Sequence, residues 1–193
     1  MKNVSIGLAV VILLLLSIFV LVTPPEREAP VEESVATYAS DEFGFSLTYR
    51  TNPDGYIVSE HTPSAQDDSD LQHVTSFMLK ADYEALQASG DVPREGPPTI
   101  NVAVFANPQH VAPDVWMLEH PYAVNADLAI GEPVLASVAG EKGVRVKTDG
   151  LYVTNNVLVA YGDFMYHFSG GFIDETSLIA RDFNSFLEAV EWK

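Results

Sequence analysis

From Val4 to Val22 the chain is apolar without a charged residue, and only Ser5 and Ser17 interrupt it with hydroxyls. As a helix rising 1.5 Å per residue, such a run spans about 28 Å, close to the roughly 30 Å hydrocarbon core of a bilayer. The pattern predicts a transmembrane helix within residues 1–22, with lipid bilayer contact through residues 4–22. A secretory signal peptide has a shorter apolar region and a small-x-small cleavage pattern. Here Thr23, Pro24 and Pro25 follow directly, which favours an uncleaved anchor over secretion after cleavage. Lys2 precedes the run, so the positive-inside rule places the N-terminus in the cytoplasm and the remainder outside.

Beyond the run the pattern changes twice. Residues 23–36 (TPPEREAPVEESVA) combine prolines and glutamates with few large apolar groups, and predict an extended acidic tether. Residues 37–193 then read as a folded domain. Phe43, Phe45, Leu47 and Tyr49 alternate with small or polar residues, the period of a half-buried strand. A turn at Asn52–Gly55 leads to a second strand over Tyr56–His61, and a polar loop over Thr62–Leu71 to a third over Val74–Lys80. A short helix is expected over Asp82–Ser89, with Asp82 as its N-cap and Gly90 at its end. Thr99–Ala106 places Ile100, Val102 and Val104 on one face of a central strand, and Pro113–Glu119 suits a turn or two of helix around Trp116.

From Pro133 to Phe172, Gly140-Glu141-Lys142-Gly143, Asp149-Gly150 and Gly162-Asp163 punctuate four runs rich in Val, Tyr, Leu and Phe. Four antiparallel strands in a meander follow. Within Asp174–Ala189, Leu178, Ile179, Phe183, Phe186 and Leu187 recur at helical spacing beside polar residues. Such a helix must cover a sheet, and Trp192 ends a last edge strand. The fold class is α+β: an antiparallel meander covered by a C-terminal amphipathic helix, after one N-terminal transmembrane helix.

Composition narrows the function classes. A net charge of -17, from 27 acidic and 10 basic residues, excludes a nucleic-acid partner, because phosphate contacts need clustered cations. The absence of cysteine removes disulfides, thiol nucleophiles and Cys zinc sites.

Tyr38 with Phe43-Gly44-Phe45-Ser46-Leu47-Thr48-Tyr49, the Val138-x-Gly140-x-x-Gly143 hairpin, and the closing helix with its aromatic-ended strand resemble the PsbP-like superfamily. The resemblance covers about Tyr38 to Lys193. Many members follow the opening strand with a Tyr-Pro pair and a Trp; here Arg50 replaces the proline, and Tyr56 follows an insertion. The namesake protein is an extrinsic subunit assisting the oxygen-evolving side of photosystem II. The resemblance implies a fold and an accessory role, and it carries no binding residue to this chain.

Candidate chemistry is sparse. Asp67, Asp68 and Asp70, with Asp54 nearby, are the densest carboxylates of the domain and can offer oxygen ligands to calcium or another divalent cation, although the EF-hand glycine and terminal glutamate are missing. A solvated acidic loop is the competing reading. His61, His73, His110, His120 and His167 form no zinc motif; His61 and His73 flank the acidic loop, and a hydrolase would need His110 with Asp114, or His120 with Glu119, facing one cleft. Adjacent residues diverge on a helix or strand, which disfavours the latter pair. Ser169-Gly170-Gly171 lacks the G-x-S-x-G pattern of a hydrolase elbow and reads as a strand end whose glycines allow a sharp exit. Asn155-Asn156 lies inside an apolar strand, so one amide faces inward or marks a bulge. Lys142, Arg145 and Lys147 gather on one hairpin and can receive an acidic envelope or protein partner, or neutralise carboxylates within the fold. No cofactor other than a cation is indicated. The reading that follows is a membrane-anchored, extracytoplasmic, non-catalytic binding module.

Overall fold

The computed structural model describes residues 34–64, 67–90 and 95–193. The predicted span over residues 4–22 lies outside them, as does most of the predicted tether. Among the described residues no helix is long and apolar enough to cross a membrane.

Strand β1 (Ser34–Ser40) begins three residues inside the stretch read as tether, and pairs along its length with β2 (Phe45–Asn52). The pattern at 34–36 hides this, because β1 is an edge strand whose side chains are mostly exposed. Strands β3 (Tyr56–His61), β4 (Leu71–Leu79) and β5 (Thr99–Ala106) follow, and then the meander of β6 (Val134–Val138), β7 (Glu141–Asp149), β8 (Val153–Tyr161) and β9 (Phe164–Phe172). Strand β10 (Val190–Trp192) closes the chain on the free side of β2. All pairs are antiparallel. The order is β1-β2-β10 in a small sheet and β3-β4-β5-β9-β8-β7-β6 in a large one, where β9 returns from the meander to lie against β5.

Among the described residues the α-helices are α1 (Lys80–Ala88), α2 (Pro113–Glu119) and α3 (Leu178–Glu188). Helix α1 starts three residues earlier than the Asp82 cap suggests. Leu79 occupies the N-cap without a side-chain bond, and Asp82 lies in the first turn, where its charge suits the helix dipole. Helix α3 is capped by Ser177, whose Oγ accepts from the Ala180 N–H. Its apolar stripe of Ile179, Phe183, Phe186 and Leu187 is buried.

The large sheet sorts its side chains by strict alternation. One face sends Val102, Val104, Val157, Val159, Tyr166 and Phe168 into a core shared with Phe45 and Leu47 of the small sheet and with α3. The other face sends Phe105, Val144, Val146, Leu158 and Met165 into a second core beneath Trp116 and Met117 of α2. Helix α2 covers only part of this second face. Along the same strands the residues change from apolar to polar.

Glycines set one close approach. Gly170 lies under the Phe183 ring, and a Cβ there would come within 2.6 Å of Phe183 Cδ2. The strand runs on through Gly170 and Gly171 to Phe172, so Gly170 serves packing and neither glycine makes the sharp exit their sequence suggests.

Candidate functional site

The uncovered part of the second face is a polar cavity of about 250 Å³. Its floor spans three strands. Register places Asn101 of β5 and Asn156 of β8 on either side of Ser169 of β9, with Thr154 opposite Gly171 in the next layer. The period-2 geometry of each strand keeps these polar residues on one face, while their apolar neighbours enter the first core. Ala123 and Asn125, from the loop after α2, and Tyr152, from the β7–β8 turn, form its walls. Tyr152 is tied across the rim by its hydroxyl, which donates to the Gly96 carbonyl at 2.7 Å.

His167 is the buried centre of this site, 6% exposed. Its Nε2 lies 2.8 Å from Asn156 Oδ1. The Asn156 amide nitrogen donates to Thr148 Oγ1 at 3.1 Å and to the Thr154 carbonyl at 3.4 Å, so its oxygen must face the ring and accept. His167 therefore carries its proton on Nε2. Nδ1 is left as a lone-pair acceptor with no hydrogen-bond partner among the described residues, in a ring that lines the cavity. Burial pushes the imidazole pKa down from 6.5 to about 4, since no carboxylate compensates the lost hydration of the charged form. The ring is neutral at physiological pH. A relay of Thr148, Asn156 and His167 across β7, β8 and β9 holds its orientation.

Asn101 is fixed in the same manner. Its Oδ1 accepts from Ser76 Oγ at 2.7 Å and from Thr99 Oγ1 at 3.2 Å, which turns the amide N–H groups toward the cavity. Ser169 adds a hydroxyl. Among the described residues that line the cavity, none carries a charge at neutral pH.

A larger cleft of about 400 Å³ lies between β2 and α3. Arg50, Tyr56 and Asp182 bond to one another there, and Arg50 Nε is buried without a partner. Arg50 donates to Asp182 Oδ2 at 2.6 Å and Tyr56 donates to the same oxygen at 2.7 Å. Burial first, and then the bond to Asp182, raises the Tyr56 pKa above its ordinary value. This cluster ties α3 to β2 of the small sheet through Arg50 and to β3 of the large sheet through Tyr56.

The residues singled out from sequence are dispersed. Asp67 Oδ2 accepts from the Ser64 N–H at 2.7 Å and lies 3.5 Å from His61 Nε2. Asp68 Oδ1 accepts from the Asp70 N–H at 3.0 Å, and Asp70 Oδ2 lies 3.5 Å from His120 Nε2. The three carboxylates thus turn to separate neighbours, and no group of three or more metal-ligating side chains gathers among the described residues. His73 lies 3.6 Å from Glu60 and His110 lies 3.6 Å from Asp163. Each of these four histidines therefore has its own carboxylate: neither His110 with Asp114 nor His120 with Glu119 is a pair.

On β7, Arg145 and Lys147 share the face toward α3, and Lys142 points to the other. Arg145 donates to Asn184 Oδ1 at 2.8 Å and sits over the Phe183 ring. Lys147 is ion-paired with Glu175. Lys142 lines a crevice with Asp114 and Leu135.

The cavity was not apparent from sequence, because its signal is spread over three strands. It consists of Thr99 and Asn101, Thr154 and Asn156, then His167 and Ser169, each an i, i+2 polar pair inside an apolar run. Only pairing register brings the pairs together.

No family model and no curated protein matches the chain in sequence. Among solved structures the chain is similar to the solution structure of cyanobacterial PsbP from Synechocystis sp. PCC 6803, at 11% identity and a TM-score of 0.54. The likeness covers 87% of this chain and 98% of that one. It shows a PsbP-like α+β fold, in agreement with the resemblance at Tyr38–Tyr49 and the closing helix.

Proposed function

We propose that this chain is a non-catalytic binding module, held at the outer face of a membrane by its apolar segment Val4–Val22, and that its ligand enters the cavity around His167. The observation that carries this reading is the Nδ1 acceptor: a neutral, nine-tenths buried imidazole, aligned by two residues behind it, with its free nitrogen left to the cavity. That nitrogen has no protein donor among the described residues and is open to the cavity, so a ligand hydroxyl or amide N–H can replace the water that otherwise meets it. Holding is better supported than turnover. The neighbouring Ser169 hydroxyl makes no hydrogen bond to the ring, and an imidazole with a pKa of about 4 is a weak base at neutral pH. The accessory role implied by the PsbP-like resemblance agrees with this reading.

A photo-crosslinking residue at Asn125, on the cavity wall, tests it in native membranes containing the full chain. The expected result is a discrete adduct that disappears when Ser169→Val removes the floor hydroxyl and narrows the cavity. An adduct that survives Ser169→Val, or no adduct, contradicts the reading.

A further inference from the structure

We infer that the His167 cavity takes a small uncharged polyhydroxyl molecule, about the size of one sugar ring, with a ligand hydroxyl donating to His167 Nδ1. The inference rests on the cavity being the binding site, and it names the chemistry of the ligand.

Charge is the first discriminator. A charged ligand entering the cavity would lose hydration without meeting a counter-charge, because none of the lining residues is charged. This also sets the cavity apart from the Arg50 cleft, where guanidinium and carboxylate already neutralise each other.

Hydrogen-bonding polarity is the second. The floor mixes an acceptor-only nitrogen at His167, an amide donor at Asn101 and a hydroxyl at Ser169 that can do either. Register makes Asn101 the direct neighbour of Ser169, with His167 one layer along on the same face. A ligand that satisfies all three needs donors and acceptors a few ångströms apart. Vicinal hydroxyls supply both from each oxygen. A purely aliphatic ligand would strand all three groups, and an ester or ether would leave Nδ1 unmet.

Size is the third. A volume of about 250 Å³ lies below the roughly 300–1,000 Å³ of pockets for drug-sized ligands, which confines the occupant to a single ring or its equivalent. Tyr152, held to Gly96 across the rim, presents an aromatic ring for the ligand's less polar side.

Calorimetric titration of the full chain, in lipid nanodiscs free of sugar-headed detergent, tests this directly. The probes are glucose, galactose, N-acetylglucosamine and myo-inositol, against glutamate, citrate and inorganic phosphate. At least one uncharged probe should give saturable heat, and the charged probes none. His167→Gln keeps an amide donor toward Asn156 and removes the Nδ1 acceptor, so it should weaken binding about tenfold, equivalent to about 1.4 kcal/mol. Ser169→Val should abolish binding without lowering the melting temperature, and it carries the test if His167→Gln fails to fold. Saturable binding of a charged probe that Ser169→Val abolishes would overturn the ligand class while leaving the cavity as a binding site. No saturable binding by any probe would overturn the inference, and an adduct at residue 125 that still depended on the cavity would then leave the binding-module reading standing. Unchanged affinity in a folded His167→Gln would overturn the assigned contact.

Discussion

At the residue scale, His167 makes stability depend on pH in a defined window. Its folded pKa lies at about 4, below the ordinary 6.5 that it regains on unfolding. Above 6.5 both states are neutral and the residue adds no pH dependence. As pH falls from 6.5 toward 4 the unfolded chain takes up a proton that the folded chain refuses, so stability is lost across that window, by about 3 kcal/mol in total. The neighbours on its face are Asn156, Ala103 and Leu158, which cannot titrate and so do not offset the loss. Denaturant unfolding of wild type and His167→Gln at a series of pH values checks this. The difference between the two should change by about that amount from neutral pH to about pH 4, and parallel curves would contradict the burial argument. The adjacent glycines make a second comparison. Gly170→Ala forces a methyl to 2.6 Å from the Phe183 ring and should cost about 1–3 kcal/mol. At Gly171 the nearest atom is 3.5 Å away, an ordinary contact, so Gly171→Ala should cost about 1 kcal/mol or less. Thermal melts of the two variants separate packing from any general need for flexibility at this strand.

Between elements, the cations on β7 tie the sheet to the segment that leads into α3. Lys147 meets Glu175 just before the helix, while Arg145 meets Asn184 within it. Both partners of the ion pair are partly exposed, so the pair is worth no more than about 1 kcal/mol. Lys147→Glu should lower the melting temperature slightly, and adding Glu175→Lys should restore it; a cycle without recovery would remove the pair from the account. Were Lys147 used to capture an acidic partner, the swap would recover stability and leave capture impaired, which separates the two readings of this hairpin. The elements themselves were largely legible. Strict alternation marked β5, and Gly-containing turns marked the boundaries of β7, β8 and β9 within a few residues. Helical spacing marked α3, while its Ser177 cap emerged only in the structure. Strand β1 was missed because an exposed edge strand has no apolar face to reveal it. The cavity was missed because pairing β9 with β5, across the whole of the meander and α2, is a long-range event that no local pattern encodes.

For the whole molecule, the two faces of the large sheet have divided their work. One is sealed by the small sheet and α3, and holds the larger aromatic core. The other is sealed at one end by α2 and left open at the other, where three strands present polar side chains. A net charge of -17 disfavours contact with anionic surfaces, which agrees with a ligand site lined by uncharged groups and set apart from the acidic exterior. The PsbP-like likeness accounts for the architecture. The site rests on this chain's own residues, since an identity of 11% transfers none. In the proposed binding mode a neutral imidazole offers Nδ1 to a ligand in this cavity. Nitrogen-15 NMR of the His167 side chain in the full chain tests it most directly. The expected spectrum is that of the neutral tautomer protonated on Nε2, with an unprotonated Nδ1, persisting from neutral pH down to about pH 5. A ring protonated on Nδ1, or an imidazolium already present at about pH 6, would contradict it.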